Sequence, residues 1–191
     1  MNSAHFEINA EQHDITDLVR QARAGDTDAF GRIYEHYVRP LYRFAYFRLK
    51  NQRDAEDITQ MVFLKAWKSL DRFEDRGYPF SSLLYRIARN AIVDHWKKKK
   101  DTSLEDHSDI AETLSDGNDH PDLSLEHKDS MEKVFGALDA LRGDQRDVIL
   151  YKFVDDLPNR DIAVIMDKSE EAIRALQYRA LKALRERFQE V

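Results

Sequence analysis

Three observations predict an all-α chain built as two small helical domains joined by an acidic linker. The first is periodicity. Apolar residues recur at helical spacing in Ile58, Met61, Val62, Leu64 and Trp67, and again in Leu83, Leu84, Ile87, Ala88 and Ile92. The second is punctuation, since capping residues and glycines divide such runs into segments of helix length. The third is charge. Residues 101–130 hold ten Asp/Glu against one basic residue, Lys128, whereas residues 15–100 hold eighteen Lys/Arg against eleven Asp/Glu. The formal net charge of −6 therefore conceals a basic segment beside an acidic one.

Composition narrows the class further. A hydrophobic fraction of 42% is ample for a core, and a charged fraction of 35% indicates a soluble, helix-rich chain. No apolar run is long enough to span a bilayer, so no membrane insertion is expected. The N-terminus MNSAHFEINAEQHDI lacks the basic start and apolar stretch of a secretory signal. Cysteine is absent, which excludes disulfides and thiolate metal sites. The expectation is a cytoplasmic protein with no metal and no cofactor.

Taken in order, residues 1–14 read as a flexible tail and residues 15–100 as the first domain. Asp14 or Thr16 can cap a short helix running to about Ala24 and closed by Gly25. Asp26 or Thr27 caps a longer helix with Phe30, Ile33, Tyr34 and Tyr37 on one side. Pro40 removes a backbone donor, which predicts a kink or break before the helix resumes to about Lys50. Asn51 and Gln52 make a turn into a helix over Arg53–Leu70. A loop containing EDRGYP leads to a second long helix that ends in Lys97–Lys100. Residues 101–129 carry Gly117, Pro121 and many Asp and Ser, a composition unable to bury enough apolar surface to order itself. In the second domain, 130–191, helices are expected over Met131–Leu141, Asp144–Val154 and Leu157–Met166, with a break at Gly143 and Pro158 in a first turn. The last helix follows Ser169, an N-cap candidate, with Glu170 and Glu171 suited to the positive end of its dipole.

Two constellations carry candidate chemistry. In the first domain, Phe73, Tyr78, Phe80, Tyr85 and Trp96 lie among Arg72, Arg76, Arg86 and Arg89, ahead of the four lysines. Flat rings beside cations suit single-stranded nucleic acid, with bases stacked and backbone neutralised. The same pattern also describes aromatic core beside a solvated helix end. In the second domain, a short helix, the turn Asp167, Lys168 and Ser169, and a longer helix form a helix-turn-helix pattern. Ile162, Ala163, Ile165, Ile173 and Leu176 would pack it. Arg174, Tyr178, Arg179, Lys182 and Arg185 would leave a basic, hydrogen-bonding face, or merely the outside of a helical hairpin.

The segments DAEDITQMVFLKAWKSLDRF, LLYRIARNAIVDHWKKK and LRGDQRDVILYKFVDDLPNRDIAVIM, the last followed by SEEAIRALQYRALKALRE, resemble the extracytoplasmic-function class of bacterial RNA polymerase sigma factors. The resemblance covers roughly residues 15–100 and 130–188. It implies a transcription initiation factor that binds core RNA polymerase and directs it to promoter DNA. By the same resemblance, residues 15–100 match sigma region two and residues 130–191 contain region four. Asp54, Glu56, Asp57 and Gln60 would contact the polymerase. Tyr78, Phe80, Arg86, Ile87, Arg89, Asn90, Lys97 and Lys98 would meet the minus-ten element, with Ile87 and Asn90 lining a pocket for a flipped base. Arg160, Ser169, Arg174, Ala175, Tyr178, Arg179 and Lys182 would meet the minus-thirty-five element. One departure is Leu83, where the family commonly has tryptophan, which bears on a packing contact and on fine promoter specificity.

The resemblance further implies an anti-sigma partner, a monomer when free, and no catalysis, because melting is driven by binding energy. It places the acidic segment in the polymerase channel, where it would imitate nucleic acid; an inert tether is the alternative. Two other functions compete. A free-standing helix-turn-helix regulator explains residues 130–188 but gives Asp54–Lys100 no role. A metal-dependent phosphohydrolase would draw ligands from Asp54, Glu56 and Asp57 with the Asp94–His95 pair, but the first three do not share one helical face and no histidine stands at a metal-ligand spacing from them.

Overall fold

The computed structural model describes residues 15–73, 77–105 and 134–189, with the side chains of Lys100–Glu105 and Gln189 excepted. The chain divides into two compact units, Met1–Leu114 and Ser115–Val191. The expected tail and nearly all of the expected linker lie outside the described residues.

The first unit opens with α1, residues 15–23. Its buried residues Ile15, Leu18, Val19 and Ala22 form one stripe at helical spacing. Gly25 closes it at φ 98°, a left-handed conformation natural to glycine. The Asp26 carboxylate then accepts from the Asp28 and Ala29 amides at 2.9 and 3.1 Å, capping α2, Thr27–Leu49. Pro40 sits inside α2, and the helix runs through it without the predicted break. One missing donor is a local loss, and the buried Leu41, Phe44, Ala45, Phe47 and Leu49 hold the following turns in the core. Lys50 adopts a left-handed conformation, and Asn51 caps α3, Gln52–Ser69, by accepting from the Asp54 amide at 2.9 Å.

A 3-10 turn, Leu70–Arg72, extends α3, and α4 runs from Phe80 to Glu105. This helix continues past the four lysines, so its last turn occupies residues assigned to the linker. Helices α2, α3 and α4 pack on one another around Ile33, Leu41, Phe44, Val62, Leu84, Tyr85 and Ile92, all essentially solvent-free. Full burial of such side chains is worth about 1.5–3 kcal/mol each. Leu83, where the resemblance expects tryptophan, is half-buried.

The second unit begins, among described residues, with α5, 134–139. Arg146 pins it by donating to the Leu138 carbonyl and the Asp139 carboxylate, both at 2.9 Å. The break falls just before Gly143, which is the first residue of α6, Gly143–Ile149. α6 continues through a π-helical turn, Leu150–Val154. Pro158 is the N-cap of α7, Asn159–Met166, rather than a residue of its first turn. Asp167 closes α7 at φ 54°, and α8, Glu170–Gln189, follows after the expected short turn. Val148, Leu150, Tyr151, Ile162 and Ile173 form the solvent-free centre. Ala163, Ile165 and Leu176 are buried with them, as the helix-turn-helix pattern requires.

Candidate nucleic-acid interface

On α3, Glu56, Asp57 and Gln60 are exposed and share one helix face by their three- and four-residue spacing. Glu56 accepts from the Gln52 amide at 2.9 Å. Burial, and then the charge of Glu56, raises the pKa of the Tyr42 hydroxyl. Asp54 does not belong to this face. It is half-buried and lies 3.3 Å from His95 Nε2 on α4. Its geometry is that of a strut between two helices.

The same α3 face continues into apolar residues of the periodic run. Leu64 is 54% and Trp67 38% exposed, and Tyr34 of the neighbouring α2 is 41% exposed. Tyr34 packs on Phe63 at 4.6 Å between ring centroids, and Phe30 packs edge-on to Trp67 at 4.8 Å. The result is an acidic start grading into an apolar patch. Spacing from Gln60 to Leu64 and Trp67 was the signal that places them on one face.

The loop and α4 split the aromatic set. Tyr78 is exposed, whereas Phe80, two residues on, is buried and packs edge-on to Phe73 at 5.1 Å. Phe80 is therefore core, and nucleic acid cannot reach it in this conformation. Tyr85 is core as well, edge-on to Phe44 at 5.7 Å. Along α4, Arg86, Asn90 and Lys97 fall on one exposed face, with Lys98 beside it. Ile87 and Arg89 are half-buried on either side. Ile87 next to Asn90 offers an apolar wall beside a group that both donates and accepts, the combination for reading a base edge. Trp96 remains exposed, with the Lys99 ammonium 6.0 Å from its ring centre.

In the second unit the helix-turn-helix is held by polar ties as well as packing. Gln177 donates to Asn159 at 2.8 Å, joining α8 to the start of α7. Lys168 in the turn pairs with Asp144 of α6 at 3.4 Å. The hydroxyl of Ser169 accepts from the Ala172 amide at 3.2 Å, so this residue is the N-cap of α8. Backbone and Ser169 hydrogen bonds lower the pKa of Glu171, and Arg174 adds to the effect. Glu170 and Glu171 approach Arg174 at 3.4 and 3.8 Å. Both acids thus serve the helix end and its own arginine.

Arg174, Ala175, Tyr178, Arg179 and Lys182 are all exposed on the solvent side of α8, and Tyr178 is 71% exposed. Arg179 donates to the Ala175 carbonyl at 3.2 Å, and Lys182 approaches Glu186 at 3.8 Å. Arg160 is exposed on α7 and lies 3.3 Å from its buried neighbour Asp161. A helix presenting arginines, a tyrosine and a small alanine, seated on a preceding helix, has the form of a major-groove reader. Among the described residues, no group of His, Asp and Glu converges to hold a metal ion. Likewise, no described helix is long and apolar enough to cross a membrane.

Comparison with known proteins finds a match in each unit. The family model for Sigma-70 region 2 matches residues 33–102, and that for Sigma-70 region 4 matches residues 131–184. The ECF RNA polymerase sigma factor BldN of Streptomyces coelicolor is 33% identical over 89% of this chain, which spans 64% of that relative's length. The ECF RNA polymerase sigma factor SigW of Bacillus subtilis is 30% identical over 93% of this chain and 98% of its own. The fold is also that of the sigma factor RpoE of Bartonella quintana, solved in complex with the anti-sigma factor NepR. That structure has a TM-score of 0.68 at 24% identity and covers 84% of this chain and 96% of its own. With both regions matched in order and a relative aligned over nearly its whole length, the chain belongs to the ECF RNA polymerase sigma factors.

Proposed function

We propose that the chain binds core RNA polymerase and directs it to promoters carrying two spaced elements. The observation that carries this reading is the pair of polar and cationic helix faces, on α4 and on α8, one in each matched region. The first domain, 15–100, opens the minus-ten element, and the second, 130–191, reads the minus-thirty-five element. The acidic segment between them serves as the tether.

Glu56, Asp57 and Gln60 contact the polymerase, with Leu64, Trp67 and Tyr34 extending that surface. Asp54 positions α3 through His95. Tyr78, Arg86, Ile87, Arg89, Asn90, Lys97 and Lys98 engage the melted non-template strand, and Phe80 supports the loop beneath Tyr78. Arg174, Ala175, Tyr178, Arg179 and Lys182 meet the major groove, Arg160 holds backbone, and Ser169 caps the reading helix. The protein works beside the chromosome in the cytoplasm, is monomeric when free, and performs no reaction of its own. An anti-sigma protein, of the kind seen with the Bartonella relative, holds it inactive.

The test is run-off transcription from a pooled promoter library with bacterial core polymerase, with and without this protein. New transcripts sharing two spaced upstream elements are expected. No binding to core, together with polymerase-independent operator binding, would leave the free-standing regulator as the better account.

A further inference from the structure

The apolar contacts between α7 and α8 hold the two helices together, but burial of this kind is non-directional and leaves their angle loosely set. Gln177 supplies a direction. Its side-chain amide donates to Asn159 Oδ1 at 2.8 Å, in a part-buried position 18 residues away along the chain. Asn159 opens α7 and is followed by Arg160, while Gln177 is followed by Tyr178 and Arg179. One hydrogen bond thus joins the neighbour of the candidate phosphate contact to the neighbour of the candidate base contacts. Its place along α8 matters as well. Gln177 stands eight residues beyond Ser169, about 12 Å along the helix axis. The turn end of α8 is secured separately, by the Ser169 cap and the Lys168–Asp144 pair. A swing of about 5° about that end would carry Arg179, about 15 Å along the axis, through about 1.3 Å. Hydrogen-bond lengths span only about 0.5 Å, so a swing of that size breaks a base contact.

We propose that Gln177 is a specificity-determining positioning residue, whose bond to Asn159 holds the angle at which α8 meets the bases. Gln177 is half-buried against α7, so it acts without touching DNA. Arg160 anchors α7 on the backbone, and the Gln177–Asn159 bond passes that register on to Tyr178 and Arg179. The two kinds of contact differ in what they tolerate. A phosphate contact fixes register and carries no sequence information, and a flexible cationic side chain can follow a small swing of its helix. A bidentate base contact has fixed geometry and is lost. Removal of the bond therefore strips discrimination between sequences and leaves the sequence-independent part of binding in place. The inference rests on the proposed reading of α8 as the minus-thirty-five helix.

The experiment uses holoenzyme assembled from core polymerase and the full chain, with a promoter recovered from the run-off library. Affinity is measured for that promoter and for a series with each base pair of the minus-thirty-five element substituted in turn. A wrong base opposite a bidentate contact costs the wild type about tenfold. Gln177→Leu keeps the bulk of the side chain and removes the donor. It should nearly abolish that cost at the positions that Arg179→Ala also flattens, by weakening binding to the intact promoter. Affinity for the substituted promoters and the slope against salt should stay as in the wild type, because the phosphate contacts remain. Asn159→Ala, on the other helix, should do the same even where Gln177→Leu fails to fold, and the two together no more than either alone. Asn159→Gln/Gln177→Asn exchanges the partners and should restore discrimination. Thermal unfolding of every variant supplies the control. A lowered unfolding temperature with wild-type discrimination, measured where the second unit is folded, would make the bond a stabiliser only and overturn the proposal. A uniform loss on all promoters with a shallower salt slope would overturn it too, by placing Gln177 on phosphate. A wild type that discriminates nowhere in the element, or an Arg179→Ala that flattens no position, would instead bring down the reading of α8.

Discussion

The two units solve the problem of presenting charge to DNA in different ways. In the second, the whole candidate surface is one face of one helix, α8, and exposure follows from helical period alone. In the first, the candidate surface is assembled from α4 and the loop before it, so tertiary packing decides which aromatic ring is offered and which is buried. Tyr78 and Phe80 make the point: two residues apart and chemically alike, one is open to solvent and the other sits under Phe73. A surface on one helix can be read from periodicity, whereas a surface at a junction requires the fold.

The sharpest way to break this comparison is to truncate both rings. Phe80→Ala should cost the first unit about 3–5 kcal/mol, as removal of a buried phenyl ring does. Tyr78→Ala should leave its stability nearly unchanged and reduce strand binding instead. Denaturant unfolding of the full chain, with a probe confined to residues 15–105, separates the two. Equal destabilisation by both variants would mean that Tyr78 is also core. The two units need not unfold together, so the transition must be followed for each.

A smaller effect tests the single-helix surface. Arg174 is approached by Glu170 and Glu171, whereas Arg179 reaches only a carbonyl of its own helix. Arg179→Ala should therefore weaken promoter binding more than Arg174→Ala, by about 1–3 kcal/mol where the lost contact is a bidentate base pairing. Binding assays on promoters varied at each base pair of the minus-thirty-five element check this. A uniform loss across sequences with a shallower salt dependence would assign Arg179 to phosphate. An effect larger for Arg174 would mean that the two glutamates aim it at DNA.

Much of this architecture was legible in the sequence, and the exceptions share a cause. Asp26, Asn51, Gly25 and Ser169 end or begin helices where local chemistry demands it, and the α8 face is exposed at every residue assigned to it. The approach of Asp54 to His95 was not legible because the two come from different helices, and periodicity alone did not tell that Leu64 and Trp67 are exposed. Pro40 was overweighted, since a local penalty was set against no estimate of the tertiary packing that opposes it. Ser169 was grouped with DNA contacts and also named as an N-cap, and its hydroxyl accepts from the Ala172 amide. Ser169→Ala should thus lower the thermal stability of the second unit by about 1 kcal/mol, with promoter affinity falling only as the helix start frays. Asp54→Asn should cost less still, below about 1 kcal/mol, as expected for a half-exposed pair. In a pull-down with core polymerase it should matter less than Glu56→Gln/Asp57→Asn.

The subtlest difference between the units is buried charge, and Asp161 provides its test. Its carboxylate lies in the first turn of α7 and is almost wholly excluded from solvent. Burial raises its pKa above the ordinary 3.8, with the Arg160 guanidinium opposing the shift at 3.3 Å. A carboxyl whose pKa is higher in the fold than in the unfolded chain binds its proton more tightly when folded. Its contribution is therefore fully present below pH 3.8 and is lost as pH rises through the raised folded value. At neutral pH the fold carries the cost of an ionised, poorly solvated carboxylate, and Asp161→Asn removes the charge while keeping the shape. The variant should be more stable than the wild type at neutral pH, and the two should converge as pH falls toward 3.8. Thermal unfolding of both full-length chains, followed by signals from α7 and α8 across that range, reads the difference directly. A gap that stays constant with pH would show that hydrogen bonding, rather than the cost of the charge, sets the role of Asp161. The opposite sign would make the Arg160 pair a net stabiliser of the helix-turn-helix.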